Sequence, residues 1–496
     1  LLETHNDLKK RRDNLQRLPL MSINRRERAS PNISQKKRRN LLKSFIIQWV
    51  KKKIKEGFAM TKCTTTPLDF TTCKSRLVQA DFTGGDITSD GGAVLLREMD
   101  RRLELTSSIA RHLADNRRKK QVRHDYLSLL RQRVYAMCLG YEDLNDHDTL
   151  RNDPLIQTAV GKDQPLASSP TLCRFENSMG RQQALAIHQV LIDQFITSYS
   201  EPPEELILDF DATDDAVHGR QAGRFFHGYY DHYCFLPLYV FCGDQLLVSY
   251  LRPSKIDGAK HSWAILSLLV KRFREVWPDV RIIFRADSGF CRWRMMSWCD
   301  RHNVGYIIGL AKNARLNSLS ADLHGQAEAQ YKQRGDKQRL FCSISYAAVT
   351  WDKKRRVIVK AEHSRRGGNP RYVVTNLAGD EQDLYDNLYC ARGDMENRIK
   401  EQQLGLFADR TSCHRWWPNQ FRLLLSSIAY VLLETIRRRY LSGTKLARCQ
   451  VDTIRLKLLK IGAVIIRNTR RIRVLLSESY PYQNLFIRIA VQLALG

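Results

Sequence analysis

The stretch that decides the fold reads Leu206-Ile207-Leu208-Asp209-Phe210-Asp211-Ala212-Thr213-Asp214-Asp215. Its apolar residues predict a buried strand, yet aspartates stand inside the apolar run. An ionised carboxylate in a core is strongly disfavoured unless it is paired or binds a metal ion. The stretch therefore has two interpretations: a strand that ends at a solvated polar turn, or a strand that delivers carboxylates to a metal site.

The composition indicates a polyanion as the partner. The chain has 496 residues, of which 81 are Lys or Arg and 52 are Asp or Glu, so its formal net charge is +29. A field of that sign attracts nucleic acid and speeds its encounter with the protein. An anionic membrane surface is the competing partner, but it requires an amphipathic or lipidated anchor, and we find none in the sequence. We therefore expect nucleic acid as the partner and no membrane association.

Residues 1–59 differ from the rest of the chain in charge. They contain 17 Lys or Arg against 5 Asp or Glu, and runs such as Lys9-Lys10-Arg11-Arg12 are typical of a disordered basic arm. Because Met60 opens the well-patterned part, the alternative is upstream translated sequence without a role. The rest of the chain stays strongly basic without this segment, so the inference of a nucleic-acid partner does not depend on it.

The cysteines and histidines favour no metal site of their own. Twelve cysteines occur without a Cys-x-x-Cys pair, which favours reduced thiols in a cytoplasmic protein over disulfides or structural zinc. His218, His227, His232 and Cys234 lie close together in the sequence. Their spacing matches no standard zinc ligand set. We interpret them as packing and hydrogen-bonding residues, with His227 as a candidate neighbour of a metal site.

Residues 60–205 are patterned mainly as helices. Apolar residues recur at helical spacing in 93–103, 124–140 and 182–199. We expect a mainly helical DNA-binding domain over 60–205.

From residue 206 the order becomes three strands, a helix, a strand, a helix and a strand. The predicted strands are 206–210, 233–242, 245–251, 280–286 and 304–310, and the helices are 264–276 and 294–301. That order matches an α/β fold with a ribonuclease-H-like catalytic core, a mixed sheet flanked by helices. We expect this core over 206–310 and 383–440, with a β-rich insertion over 311–382 and a helical C-terminal region over 441–496.

Two aspartates occupy comparable places in this order. Asp211 lies at the end of the first strand of the predicted core, and Asp287 follows the fourth. The first and fourth strands of such a sheet are neighbours, so we expect both carboxylates at one edge. Asp209 shares a face of the strand with Asp211, so it is the alternative metal ligand to Asp211.

A third carboxylate is predicted on a helix after the insertion. At helical spacing Tyr389, Arg392, Glu396 and Lys400 share one face. A ladder of exposed charges is the alternative interpretation of that face. Together with the two aspartates, Glu396 would complete a set of three acids able to hold divalent ions.

At these positions the sequence resembles the DDE transposases of bacterial insertion sequences. Tyr389-x2-Arg392-x3-Glu396 is similar to their Y-x2-R-x3-E-x6-K signature, and the stretches around Asp211 and Asp287 are similar to their two aspartate motifs. Three further stretches resemble the insertion-sequence 1380 family in particular, at 139–147, 226–231 and 310–313. The resemblance covers roughly residues 60–490.

This resemblance implies a DNA transposase that binds the terminal inverted repeats of its element, cleaves the ends and joins them to target DNA. Asp211, Asp287 and Glu396 would be its catalytic residues and would bind Mg²⁺, with Mn²⁺ as an alternative ion. The partner would be double-stranded DNA, both at the repeat ends and at the target. A homodimer in the synaptic complex and a location at the nucleoid of a bacterial cytoplasm are also implied.

The resemblance further implies that Tyr389, Arg392 and Lys400 contact DNA. The position where the signature has lysine is Gln403, so Lys400, one helical turn after Glu396, is the candidate for that cation. Two other functions stay open: a metal-dependent nuclease of the same fold without strand transfer, and a non-catalytic DNA-binding protein derived from a transposase.

Overall fold

The computed structural model describes residues 67–495. The chain forms two units, one ending at Thr83 and one beginning at Gly84, and each is described by itself. The basic arm predicted for residues 1–59 lies outside the described residues. Across 67–495, no helix combines the length and apolar character needed to cross a membrane.

Groups of strands and groups of helices follow one another along the chain. The strands are β1 (Leu68–Cys73), β2 (Arg76–Ala80), β3 (Ile87–Thr88), β4 (Glu205–Ala212), β5 (Asp215–Ala216), β6 (Phe225–His227), β7 (His232–Phe235), β8 (Leu238–Cys242), β9 (Gln245–Tyr250), β10 (Arg281–Ala286), β11 (Gly305–Leu310), β12 (Gln338–Tyr346), β13 (Arg355–Ser364), β14 (Gly367–Gly368), β15 (Arg371–Thr375), β16 (Ala463–Arg467) and β17 (Ile472–Leu476). The helices are α1 (Ala93–Leu103), α2 (Leu105–His112), α3 (Tyr126–Leu139), α4 (His147–Leu150), α5 (Pro154–Val160), α6 (Ser169–Asn177), α7 (Arg181–Thr197), α8 (Ser262–Val276), α9 (Trp293–Arg301), α10 (Ala314–Leu319), α11 (Ala321–Arg334), α12 (Glu381–Asp383), α13 (Gly393–Lys400), α14 (Trp416–Tyr440), α15 (Val451–Ile454) and α16 (Gln483–Leu495). The predicted α/β class with a mixed sheet is confirmed.

The unit that ends at Thr83 contains one hairpin. Strands β1 and β2 pair antiparallel, with Leu68 opposite Ala80. The side chains of both strands are exposed.

A mixed sheet forms the centre of the second unit. Its strand order is β12-β13-β15-β11-β10-β4-β8-β9. β10 runs parallel to both β4 and β11, whereas the meander β4-β8-β9 is antiparallel. One predicted strand was wrong: 233–242 is divided into β7 and β8. Pro237 stands at the break, and a proline has no backbone N–H to give to a ladder.

The β-rich segment 311–382 extends this sheet. β15 pairs antiparallel with β11, and β13 and β12 follow outward. The segment also contains α10 and α11, which the sequence analysis did not predict. In α11 only Ala327 is buried, so the helix lacks the apolar stripe by which periodicity reveals a helix.

The prediction of a helical C-terminal region was wrong in detail. The region predicted as helical, 441–496, contains the antiparallel hairpin β16–β17, whose residues are rich in the β-branched Val and Ile. Pro418 lies in the first turn of α14. That turn has backbone N–H groups without an intrahelical partner, so a proline there breaks no hydrogen bond.

Helix α14 anchors the helical layer to one face of the sheet. It packs against α3, α7 and β9, and most of its length is buried. The helical segment that carries the third predicted acid, residues 381–405, runs through α12 and α13 with π-helical turns at Leu384–Tyr389 and Glu401–Gly405. It packs beside β4, which brings it to the strand that carries Asp211.

Candidate active site

Asp211 and Asp287 lie at the carboxyl ends of neighbouring parallel strands. In the register of β4 and β10, Arg285 is opposite Asp209 and Ala286 is opposite Phe210. The next step along both strands is Asp211 and Asp287. The structure therefore brings these two acids to one edge of the sheet.

Glu396 joins Asp211 through Arg392. The Arg392 guanidinium donates from Nη1 to Asp211 Oδ2 at 3.3 Å and from Nη2 to Glu396 Oε1 at 2.6 Å. Arg392 and Glu396 are one helical turn apart, so their side chains project from the same side of the helix. Asp211 on the strand and Glu396 on the helix thus bind the same guanidinium group.

The pKa of the Asp211 carboxyl is shifted by its surroundings. Burial, helped by the negative charges of Asp287 and Glu396, raises this pKa to about 7 against the opposing attraction of Arg392. Because those charges act on Asp211, the three predicted acids form one electrostatic cluster.

Tyr389 lies beside the turn that holds Asp287. Asp287 Oδ1 accepts a hydrogen bond of 2.9 Å from the backbone N–H of Gly289. A Cβ atom built at Gly309 would lie 2.5 Å from the Tyr389 hydroxyl and 2.9 Å from the backbone N of Ser288. Only a glycine at 309 leaves room for the tyrosine to approach the turn. Burial also raises the pKa of Tyr389.

Asp209 has a different role from Asp211. Its side chain is buried, with 2% of the residue exposed, and its two carboxylate oxygens accept from Arg285 at 2.5 and 2.7 Å. Arg285 also donates to the carbonyl of Leu388, on the helical segment that leads to Glu396. The pair therefore joins two strands to that segment, and both oxygens of Asp209 are occupied.

Gln403 and Lys400 differ in what they contact. Gln403, which stands where the signature has lysine, donates to the backbone carbonyl of Asp214 at 2.9 Å. Lys400 is exposed. A structural contact thus holds Gln403, and the exposed side chain of Lys400 can reach a ligand.

Glu401 fixes the end of the helix that carries Glu396, and the sequence analysis missed it. Its carboxylate is buried and accepts from Arg437 Nη1 at 2.7 Å, from Arg398 Nη1 at 2.7 Å and from the backbone N–H of Val451 at 2.6 Å. A buried charge is stable only with such partners. The one signal in the sequence is Arg398 three residues before Glu401, a spacing that is common on exposed helices as well.

The negative charge of the acid cluster suits a metal ion, but the positive guanidinium of Arg392 already lies among the acids. Within the described part of the chain, no three His, Cys, Asp or Glu side chains are arranged to hold a metal ion. The guanidinium of Arg392 instead bonds to both Asp211 and Glu396. Carboxylate oxygens are the donors that a hard divalent cation prefers, and such an ion would have to displace the guanidinium of Arg392.

Comparisons with known proteins identify the chain's relatives. A family model described as transposase DDE domain group 1 matches residues 70–495. A cryo-EM structure of a piggyBac transposase synaptic complex with hairpin DNA has a TM-score of 0.38 and 12% sequence identity, over 74% of this chain and 80% of that chain. A likeness at this level supports no functional argument. No curated protein matches the chain.

Proposed function

Because the chain belongs to the transposase DDE domain group 1 family, we propose that it cleaves the ends of its own insertion sequence and joins them to target DNA. One observation carries the proposal: Asp211 and Glu396 share one guanidinium, and Asp287 ends the neighbouring strand. Acids gathered in this way suit metal-assisted phosphoryl transfer, in which the protein need supply no covalent nucleophile.

We infer that the catalytic core is ribonuclease-H-like. The strand order β9-β8-β4-β10-β11, with β4, β10 and β11 parallel and β8 antiparallel to β4, supports this inference. In this arrangement the edge of the sheet at the ends of β4 and β10 receives the scissile phosphate. The insertion lengthens the sheet on the β11 side.

Asp211, Asp287 and Glu396 would hold Mg²⁺, or Mn²⁺ in its place. When bound, such ions activate the attacking water or 3′-hydroxyl and stabilise the leaving oxygen. Arg392, once released from the acids, is suited to clamp a phosphate in bidentate fashion. Tyr389 beside Asp287 and the exposed Lys400 would make further phosphate contacts that fix the register of the DNA.

Arg392→Gln is expected to increase the affinity of the DNA-free protein for Mn²⁺ by about tenfold or more. The guanidinium competes for the same carboxylates, and a charge at that distance is worth more than the ~1.4 kcal/mol that a tenfold change requires. Mn²⁺ affinity can be measured by electron paramagnetic resonance on the free protein. Cleavage is expected to fall in the same variant, because the phosphate clamp is lost.

Lys400→Gln is the matched control, since it removes one exposed positive charge from the same helix. It should change Mn²⁺ affinity by less than about twofold, because exposed charges are screened. Equal Mn²⁺ affinities in Arg392→Gln and Lys400→Gln would contradict the idea that the Arg392 guanidinium competes with the ion for the carboxylates.

A cleavage assay tests the function as a whole. Labelled DNA carrying the sequence that flanks the gene is incubated with the protein and Mg²⁺, and the products are separated by size. Strand transfer into a second DNA supports the transposase. Cleavage without transfer supports a nuclease of the same fold, and binding without cleavage supports a non-catalytic DNA-binding protein. Inverted repeats on both sides of the gene would identify the ends to use.

We assign the chain to the insertion-sequence 1380 family on the motifs at 139–147, 226–231 and 310–313. Residues 60–205 would contribute DNA binding, and two copies of the chain would hold the two ends together in the nucleoid of a bacterial cell.

A further inference from the structure

The hairpin of β6 and β7 exposes aromatic rings that a folded protein normally buries. We call residues 225–235 the aromatic hairpin. Phe226 and Tyr233 are a cross-strand pair with ring centroids 5.7 Å apart, yet they are 54% and 48% exposed. Tyr229, in the connecting turn, is 85% exposed. A cross-strand pair can serve hairpin stability, but Tyr229 lies outside the pairing and needs another explanation.

Cations accompany these rings. The Arg224 guanidinium lies 4.4 Å from the centre of the Tyr233 ring, and Lys255 Nζ lies 5.6 Å from that of Phe225. Phe226 and Tyr229 are the most exposed rings of the hairpin. Open ring faces beside positive charge suit a stacked base whose phosphate meets the cation. Positive charge beside the rings complements the phosphates of DNA, which favours nucleic acid over a partner protein as the occupant.

The aromatic hairpin lies next to the acid cluster. β5, which pairs with β7, begins four residues after Asp211, and His232 Nε2 lies 2.9 Å from Asp214 Oδ2. In the turn, Tyr230 packs on His227 with centroids 4.9 Å apart, and Tyr229 packs edge-on against Tyr230. Burial raises the pKa of Tyr230 to about 12, and the negative charges of Asp214 and, to a smaller extent, Asp211 contribute to that rise.

We propose that the aromatic hairpin binds unpaired DNA bases beside the cleaved bond, stacking them on Phe226 and Tyr229. The proposal rests on the proposed function, because it takes DNA as the substrate of the acids. Stacking does not read base identity, so the hairpin would accept any sequence. Its preference is for single-stranded over double-stranded DNA, since only an unpaired base presents its face.

The test measures how the full chain binds a fluorescein-labelled short oligothymidylate and a duplex of equal length, by anisotropy without metal. The variant Phe226→Ala/Tyr229→Ala is expected to lose about tenfold or more in affinity for the single strand. Its affinity for the duplex should change by less than about twofold. The aromatic variant Phe226→Tyr/Tyr229→Phe should retain wild-type binding of both. Leu268→Ala, which removes an apolar side chain that is 67% exposed on α8, is the control for lost surface.

Other results would overturn the inference. Unchanged single-strand binding in the alanine variant, or an equal loss for both DNAs, would exclude base stacking at this hairpin. The alanine variant could instead bind the single strand as the wild type does but sediment as a monomer where the wild type is a dimer. That result would assign the rings to a protein interface. If the wild type cleaves end DNA while the alanine variant binds normally, only the hairpin inference fails. If the wild type neither binds nor cleaves, the proposed function fails.

Discussion

Asp287→Asn and Glu396→Gln are expected to abolish cleavage of end DNA while the protein still binds that DNA. Each substitution keeps the shape of the side chain and removes one negative charge from the cluster around Asp211. Bound ions contribute several kcal/mol to transition-state stabilisation, so losing a ligand should slow cleavage by about a thousandfold or more. Asp211→Asn is expected to have an effect of the same size.

DNA binding should persist because the phosphate backbone dominates affinity. Neutralising an acid beside a phosphate removes repulsion, so affinity in a mobility-shift assay should stay within about threefold of wild type or rise. This separation of binding from cleavage distinguishes a lost ligand from a lost fold.

Asp394→Asn is the matched control for these variants. Asp394 lies on the same helix as Glu396 but is exposed, and its substitution should leave the cleavage rate within about twofold. Wild-type cleavage in Asp287→Asn or Glu396→Gln would remove that residue from the catalytic set. Equal losses in Asp394→Asn would show that the assay reports helix charge rather than ligation.

The sequence was sufficient to predict that the strand before Asp287 lies beside the strand that carries Asp211. Strand and helix periodicity is local, and the meander followed by two parallel strands leaves few ways to arrange a sheet. Asp211 and Asp287 each end an apolar strand, so their meeting follows once the strands are neighbours. The helix face of Arg392 and Glu396 likewise follows from spacing alone.

What the sequence could not predict depends on contacts between distant residues. No local sequence pattern indicates that Asp209 pairs with Arg285. Only the register of β4 and β10 places the two residues opposite each other, so the sequence alone leaves Asp209 as a candidate ligand. Glu401 and Arg437 are another such pair, because an arginine on a helix gives no sign that its partner is buried. The hairpin β16–β17 was missed since a five-residue apolar strand resembles one stripe of a helix.

Asp209→Asn is expected to destabilise the protein by about 3–5 kcal/mol, because it leaves the Arg285 guanidinium buried beside a neutral partner. Both groups are almost fully buried, so water cannot replace the lost charge. Urea denaturation followed by tryptophan fluorescence measures the change in the free energy of unfolding. Glu205→Gln is the matched control, since Glu205 pairs with Arg281 across the same two strands at their exposed start. It should cost no more than about 1 kcal/mol.

The same variants decide between a structural and a catalytic role for Asp209. A structural pair predicts that Asp209→Leu/Arg285→Leu recovers much of the stability lost in Asp209→Asn, because apolar residues can replace a buried ion pair. It also predicts near-normal cleavage per folded molecule in Asp209→Asn at low temperature. If Asp209→Asn instead lost cleavage at unchanged stability, Asp209 would be a metal ligand and Arg285 would have to leave it when the ion binds. The bidentate pair at 2.5 and 2.7 Å favours the structural role, because it occupies both oxygens that a ligand would need.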